Sequence, residues 1–303
     1  MKIIGVRKLN IWRIGIINAR ENGEKMKEDF LKSISCLDKG FVRLVDYMGD
    51  DAAIVQAARV SYGEGTKAIS EDKGLIRYLL NKKHTSPFEQ VEFKFHVKAP
   101  IFVFRQWHRH RCVSINELSA RYSEMKDECY LPNIEDIKLQ SKDNKQCRDD
   151  SGLSHEDAFT VLEEMKLMQE DCFIHYRRLL DLGIARELAR INLPVSTYSE
   201  MYWKIDLHNL FHFLKLRMDP HAQMEIRVFA NALYELIKPI VPIASEAFEE
   251  YSLYAKTLSL AESNTLCDFL KVSPIKNLLH LIDSSDVLSK REKKEMKEKL
   301  GIV

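Results

Sequence analysis

The chain has 303 residues, 45% hydrophobic and 30% charged, with 46 Lys plus Arg against 45 Asp plus Glu and a formal net charge of +1. That length supplies a sizeable core, and the near balance of charge argues against a dedicated polyanion binder, which carries a clear positive excess. A cationic site in this chain is therefore expected to be local and suited to a small anion.

Residues 1–18 hold several isoleucines, but Arg7, Lys8 and Arg13 interrupt them and spoil the stretch as a signal-peptide core. No uninterrupted apolar run approaches the ~20 residues that span a bilayer, so no membrane partner is expected. The six cysteines form no Cys-x-x-Cys pair. Reduced thiols in a cytoplasmic protein fit that pattern. Cys172 and His175 are three apart but lack a second ligand pair, so no metal site is expected.

In chain order, residues 19–33 are highly charged and read as a linker or exposed helix. Phe41–Tyr47 reads as a strand. Asp50 and Asp51 give an acidic start to a helix over 52–58, and Gly63-Glu64-Gly65 reads as a turn. Leu75–Leu80 is the apolar part of another short helix. Ser86-Pro87-Phe88-Glu89 has the form of a helix start, with a hydroxyl cap and Pro at the first position. Val91–Val97 alternates as a half-buried strand. Pro100 opens a helix that carries Ile101–Phe104 and delivers Gln106, Arg109 and His110 on one face at its C-terminal end.

Residues 134–153 are polar without periodicity and read as an exposed loop. From Ser154 the pattern is strongly helical, with Ala158, Val161, Leu162, Met165, Cys172 and Tyr176 mostly three or four apart, until Gly183. Shorter helices follow over 185–192, 207–218 and 222–237. Lys290–Lys299 reads as a charged, solvated helix or tail.

The densest chemistry lies in Arg105–Arg121. Arg105, Arg109, Arg111 and Arg121 share that stretch with His108 and His110, against the single carboxylate of Glu117. Guanidinium groups fixed to a buried apolar run favour phosphate or carboxylate partners, which their planar forks grip with two donors. The bland reading is a solvated helix end. No Gly-x-Gly-x-x-Gly, Walker-type loop, His-Glu-x-x-His or Gly-x-Ser-x-Gly is present, so a bound nucleotide is held without the usual glycine loops.

Arg109-His110-Arg111-Cys112-Val113-Ser114-Ile115-Asn116-Glu117-Leu118-Ser119-Ala120-Arg121-Tyr122 resembles the signature of the flavin-dependent thymidylate synthases at nine fixed positions. His84-x-Ser-Pro-Phe-Glu89, Ala99–Val103, Arg190-x-x-Leu-Pro194 and Leu216-Arg217-x-Asp219-x-His221-Ala222-Gln223-x-Glu225 are similar to other segments of that family. The resemblance implies an α/β fold of α+β type: one domain over 36–255 with a mixed or antiparallel sheet, several long helices and no Rossmann loop. It leaves 1–35 and 256–303 as an N-terminal extension and a C-terminal helical extension.

The activity implied is reductive methylation of dUMP to dTMP. Methylenetetrahydrofolate is the carbon donor, NADPH the reductant and FAD the bound cofactor, in a homotetramer with shared active sites. By the same resemblance, dUMP is held by Gln106, Arg109, Glu117, Leu118, Ser119, Ala120, Arg121, Arg190 and Arg217, with Arg217 also activating the uracil ring. FAD contacts fall on Ser86, Glu89, Arg109, His110, Arg111, Asn116, Glu117, Asp206, His208 and His212. Taken alone, Arg217 reads as an ion pair with Asp219, Arg190 as a surface salt bridge, and His208 and His212 as partly buried helix residues. Cys112 occupies a variable position and reads as packing, since a nucleophile needs an adjacent base and an orienting group. The rival reading is a non-catalytic nucleotide- or nucleic-acid-binding protein that lays the 105–121 cluster on phosphate; it predicts colourless protein and steeply salt-dependent binding to polymers.

Overall fold

The computed structural model describes residues 33–60, 69–142, 147–272, 275–288 and 290–300. The linker read over 19–33, apart from Ser33, and the turn at Gly63 and Gly65 lie outside the described residues. A five-stranded antiparallel sheet organises the fold. It is built from β1 (Ser33–Cys36), β2 (Gly40–Met48), β3 (Glu92–Pro100), β4 (Ser114–Glu117) and, later in the chain, β7 (Tyr198–Asp206), in the order β1-β2-β3-β7-β4. β3 and β7 pair from Glu92 opposite Asp206 to Pro100 opposite Tyr198.

Strand alternation decides which face is buried. Val42, Leu44, Phe93, Phe95, Val97, Met201, Trp203 and Ile205 point into the core, while Lys94, Tyr202 and Lys204 stay exposed. The buried face is covered by α1 (Asp51–Val60), α2 (Ile69–Asn81), α3 (Ile101–Trp107), α6 (Leu207–Arg217), α7 (Met224–Ile237) and α8 (Pro242–Phe248). Asp50 caps α1, its Oδ1 accepting from the amides of Ala52 at 2.9 Å and Ala53 at 3.2 Å. Asp51 reaches across the fold instead and accepts from the Ile243 and Ala244 amides at 2.8 and 2.9 Å, at the start of α8.

Pro100 stands at the N-terminal cap of α3, as its sequence position predicts. The helix ends sooner than the spacing suggests. Gln106 lies on it, whereas Arg109 and His110 follow in a turn closed by Arg109 N–H to Gln106 O at 3.3 Å and His110 N–H to Trp107 O at 3.0 Å. The last helical residue, Trp107, is fully buried against Trp203 at 5.1 Å, Phe213 at 4.9 Å and Phe229 at 6.0 Å between ring centroids. Such an indole anchor buries a large apolar area with few rotatable bonds, so the cationic residues that follow start from a fixed point.

Two local expectations are corrected. Ser86-Pro87 does not open a capped helix: Phe88–Gln90 forms a single 3-10 turn, Pro87 takes the cap position, and no side chain caps it. The Thr85 carbonyl accepts from Phe88 N–H at 2.9 Å in its place. Residues 134–153 are not an unstructured loop. They hold a 3-10 turn at Ile134–Asp136 and an antiparallel hairpin of β5 (Lys138–Gln140) and β6 (Arg148–Gly152).

The long helix expected from Ser154 is α4 (His155–Asp181), capped by the Ser154 hydroxyl on Asp157 N–H at 3.1 Å and ended by Gly183 at φ +78°. A second core of Ala120, Met125, Cys129, Phe173, Tyr176 and Ala189 fixes α4 and the short α5 (Arg186–Ala189) to the segment after β4. Residues 254–303 form a separate compact unit containing α9 (Leu260–Val272), α10 (Ile275–Ser284) and α11 (Lys290–Lys299), in which Lys297 bonds Asp283 at 2.7 Å.

Gly40 is required by close approach. A Cβ there would lie 2.7 Å from the carbonyl oxygens of both Cys36 and Lys98 and 3.0 Å from the Phe229 ring. Gly40→Ala is expected to lower the unfolding free energy by about 1–3 kcal/mol, the usual cost of overpacking. An unchanged urea midpoint would contradict this.

Candidate active site

The site begins where Trp107 ends α3. The Gln106 side chain, the Gln106 carbonyl, His110 and Arg217 converge between the ends of α3 and α6. The Arg217 guanidinium donates from Nε to His110 Nε2 at 3.1 Å and from Nη2 to the Gln106 carbonyl at 3.3 Å. Gln106 Nε2 donates to Gln223 Oε1. No carboxylate pairs with Arg217 among the described residues. Asp219, the local partner its sequence suggested, bonds His221 instead, at 2.8 Å to the amide and 2.9 Å to Nδ1.

Electrostatics agree with this hydrogen-bond pattern. Burial, then the neighbouring Arg217, then His212 push His110 down from its ordinary 6.5 to about 4. The ring is therefore neutral near pH 7. Its Nε2 accepts from Arg217, which assigns the proton to Nδ1. Burial alone draws Arg217 below the ordinary arginine value, yet a guanidinium stays charged in proteins. The result is a half-buried cation with neutral hydrogen-bond partners.

Around His110 and Arg217 opens a pocket of about 340 Å³ lined by Arg109, Arg111, Cys112, His212 and Leu216 among others. Arg109 and Arg111 are exposed and have no carboxylate partner among the described residues. Two unpaired guanidinium groups beside Arg217 are a donor set suited to phosphate or pyrophosphate oxygens. Cys112 is exposed on the pocket wall, so the packing role read from the sequence is corrected. Its side chain lies past the end of α3, where no core residue covers it.

The second half of the candidate set lies at the other end of β4. Leu118 N–H donates to the Glu200 carbonyl at 2.8 Å, and Ala120 is buried in the second core, so the turn carrying Ser119 and Arg121 is anchored. Ser119 Oγ accepts from the Arg121 amide at 3.3 Å. Arg121 pairs with Glu187 at 3.1 Å, both side chains more than half exposed. Such a bridge is weak and easily exchanged for an anion. Arg190 follows Glu187 by three residues, half-buried and without a salt-bridge partner among the described residues, so the surface-bridge reading of Arg190 is not realised. Glu117 accepts from the Ser199 hydroxyl at 2.9 Å and lies 3.8 Å from His108 Nε2, an ionic separation too long for a hydrogen bond. Asn116 is exposed on β4 opposite Tyr202.

Apart from His212, the remaining candidates stand away from the trio. Ser86 lines a pocket with Arg59, Tyr78 and His84, and Glu89 is exposed on the 3-10 turn. His208 and His212 line a further pocket of about 330 Å³ with His84, Thr85, Phe88 and Tyr251. His212 also lines the Arg217 pocket and so joins the two. Asp206 is occupied as the cap of α6, accepting from the Asn209 amide at 2.9 Å and its side-chain amide at 2.7 Å. His84 lies in two pockets and Gln223 touches Gln106, yet neither was singled out as a site residue; both fall in segments whose family resemblance was visible.

The four arginines of 105–121 do not make one basic face. Arg105 bonds His108 Nδ1 at 3.0 Å, Arg109 and Arg111 open on the pocket, and Arg121 lies beyond the far end of β4. That arrangement suits discrete small-anion contacts more than a polymer backbone. Among the described residues no His, Cys, Asp and Glu group is placed to hold a metal ion, and no helix is long and apolar enough to cross a membrane.

The family model described as thymidylate synthase complementing protein matches residues 43–243. A flavin-dependent thymidylate synthase of Treponema denticola is 53% identical over 269 residues, covering 89% of this chain and 97% of that protein. One from Thermus thermophilus is 57% identical over 234 residues, covering 77% and 84%. A crystal structure of the UMP/dUMP methylase PolB from Streptomyces cacaoi bound with 5-Br dUMP superposes with a TM-score of 0.66 at 36% identity, covering 74% of this chain and all of that one. This chain belongs to the flavin-dependent thymidylate synthase family.

Proposed function

We infer that this chain catalyses the reductive methylation of dUMP to dTMP with bound FAD. In this reading methylenetetrahydrofolate supplies the carbon and NADPH the electrons, in the cytoplasm, where the six free cysteines stay reduced. The observation that carries the reading is the Arg217 guanidinium: fixed by His110 Nε2 and the Gln106 carbonyl, with no carboxylate among the described residues to quench it. Making uracil C5 nucleophilic toward the methylene donor builds negative charge on N3 and O4 of the ring. A positive group already oriented there stabilises that charge without reorganising.

The unpaired forks of Arg109 and Arg111 fit the phosphate-rich chemistry of FAD and dUMP. His110 and His212 wall the pocket, and His208, His212 and Ser86 extend the cofactor surface toward the turn at Phe88. When bound, FAD relays reducing equivalents from NADPH to the pyrimidine. Arg121 and Ser119, on the turn anchored through Leu118, supply phosphate contacts, with Arg190 alongside. No enzyme nucleophile is required, and Cys112 has no hydrogen-bonded base among the described residues to activate it.

The site is incomplete in one chain. The Arg217 pocket meets β7 at Ile205, whereas Leu118 pairs at Glu200. The separation is about 17 Å, at ~3.3 Å rise per residue. One nucleotide phosphate and its base do not span that gap unaided, so the turn after β4 serves the pocket of a second copy. Phe159, Leu167, Met168 and Ile174, each more than half exposed on α4, supply an apolar surface for such contacts. The assembly proposed is a homotetramer with shared sites.

Purified protein is expected to be yellow and to form dTMP only when dUMP, methylenetetrahydrofolate and NADPH are all present; no dTMP under those conditions would end the reading. Arg217→Ala is expected to cut kcat by about 10²–10³-fold with FAD retained, and a wild-type rate would remove Arg217 from the chemistry.

The depressed His110 value has a stability consequence of definite sign. The unfolded chain takes up a proton below about 6.5, while the folded ring resists until about 4. The contribution is complete above 6.5 and is lost as pH falls toward 4. Urea unfolding from pH 7 to pH 4 is expected to show a shallower loss of stability in His110→Asn than in the wild type. Identical pH slopes would contradict the neutral, buried ring.

A further inference from the structure

We propose that Arg148, carried by the β5–β6 hairpin, is a positioning residue that holds Gln223 against Gln106 and thereby sets the affinity for the pyrimidine nucleotide. The proposal rests on the dUMP-methylation reading and adds to it a residue outside the signature and outside every candidate named above.

Glu225 is the starting point. Its residue is 2% exposed in the first turn of α7. Oε1 accepts from the Tyr130 hydroxyl at 3.2 Å and from Arg148 Nη2, and Oε2 has no hydrogen-bond partner among the described residues. Arg148 is the only cation bonded to this carboxylate among the described residues. A buried carboxylate that loses its one charged partner is strongly destabilised where it sits. Relief comes from moving the first turn of α7 toward water.

That turn is coupled to the active site. Gln223 occupies the N-terminal cap position of α7, two residues before Glu225. Its side-chain oxygen accepts from Gln106 Nε2, and the Gln106 carbonyl accepts from Arg217. The connection therefore runs from the hairpin through Glu225 and Gln223 to Gln106 and Arg217. The hairpin also walls one side of a cavity of about 420 Å³, with Lys138, Gln140 and Arg148 facing His221, Gln223 and Arg227. The hairpin is thus tied to the first turn of α7 through the Arg148–Glu225 ion pair, and that pair adjoins the proposed substrate contact.

Steady-state kinetics of the FAD-loaded enzyme test this. Arg148→Met is expected to raise the KM for dUMP about ten-fold or more, with smaller changes in kcat and in the KM for methylenetetrahydrofolate and NADPH. In a Glu225→Gln background, with no buried charge to neutralise, adding Arg148→Met is expected to leave the dUMP KM unchanged. If Arg148→Met does not fold, Arg148→Lys, which keeps the charge and loses the fork, is expected to show a smaller rise still selective for dUMP. Overturning results are an unchanged dUMP KM in the folded Arg148 variant, equal losses for all three substrates, or a further rise of dUMP KM in the Glu225→Gln background. A wild-type enzyme that shows no dUMP dependence would instead defeat the underlying reading and is distinguishable from each of these.

Discussion

The structure turns on a cation held by neutral partners. Arg217 donates to His110 Nε2 and to the Gln106 carbonyl, and neither removes its charge. An aspartate in place of His110 would hold the guanidinium as firmly but quench its field. A protonated histidine would repel it. Burial keeps the imidazole neutral, and the adjacent Arg217 reinforces that preference. Position and charge are thus separated: hydrogen bonds fix the group, while its charge is left unneutralised by these partners.

Rigidity for this arrangement comes from the aromatic core. Trp107 is fully buried among Trp203, Phe213 and Phe229 at the last residue of α3. Phe213 also packs against the His110 ring at 4.8 Å. The helix that supplies Arg217 and the turn that supplies His110 therefore share one packed cluster. At the far end of β4 a different cluster, built on Phe173 and Tyr176, anchors the turn that carries Arg121. Two separately anchored sets of basic residues thus lie in one chain, one at each end of β4.

Local, short-range features of this fold were legible in the sequence. The alternation of Val91–Val97, Pro100 before α3, the helical period from Ser154 and the Gly183 terminator each depend on neighbours within a few residues, and each appears in its expected element. The β5–β6 hairpin was not legible, because β5 is exposed at all three residues and so shows no burial alternation. Ser86-Pro87 reads as a capped helix start because such a start looks alike in a helix and in the 3-10 turn that forms at Phe88. Partner choice was the least legible feature. Arg217 has an acid two residues away, yet its bond is to His110, 107 residues earlier, since Asp219 is taken by the backbone and ring of His221. Arg148 and Glu225 are 77 residues apart, and nothing local marks them as a pair.

The segments of family resemblance identified the chemistry but not how it is divided in space. Gln106, Arg109, His110 and Arg217 come together, whereas Ser119, Arg121 and Arg190 gather elsewhere. That division follows from β4, a short strand whose two ends face different neighbours along β7.

The protonation state of His110 is the most direct test of the central claim. Nitrogen-15 NMR of imidazole-labelled protein at pH 7 is predicted to show His110 with Nδ1 protonated and Nε2 bare, titrating near pH 4. A ring protonated on both nitrogens at pH 7, or on Nε2 alone, would break the hydrogen bond from Arg217 and contradict the account.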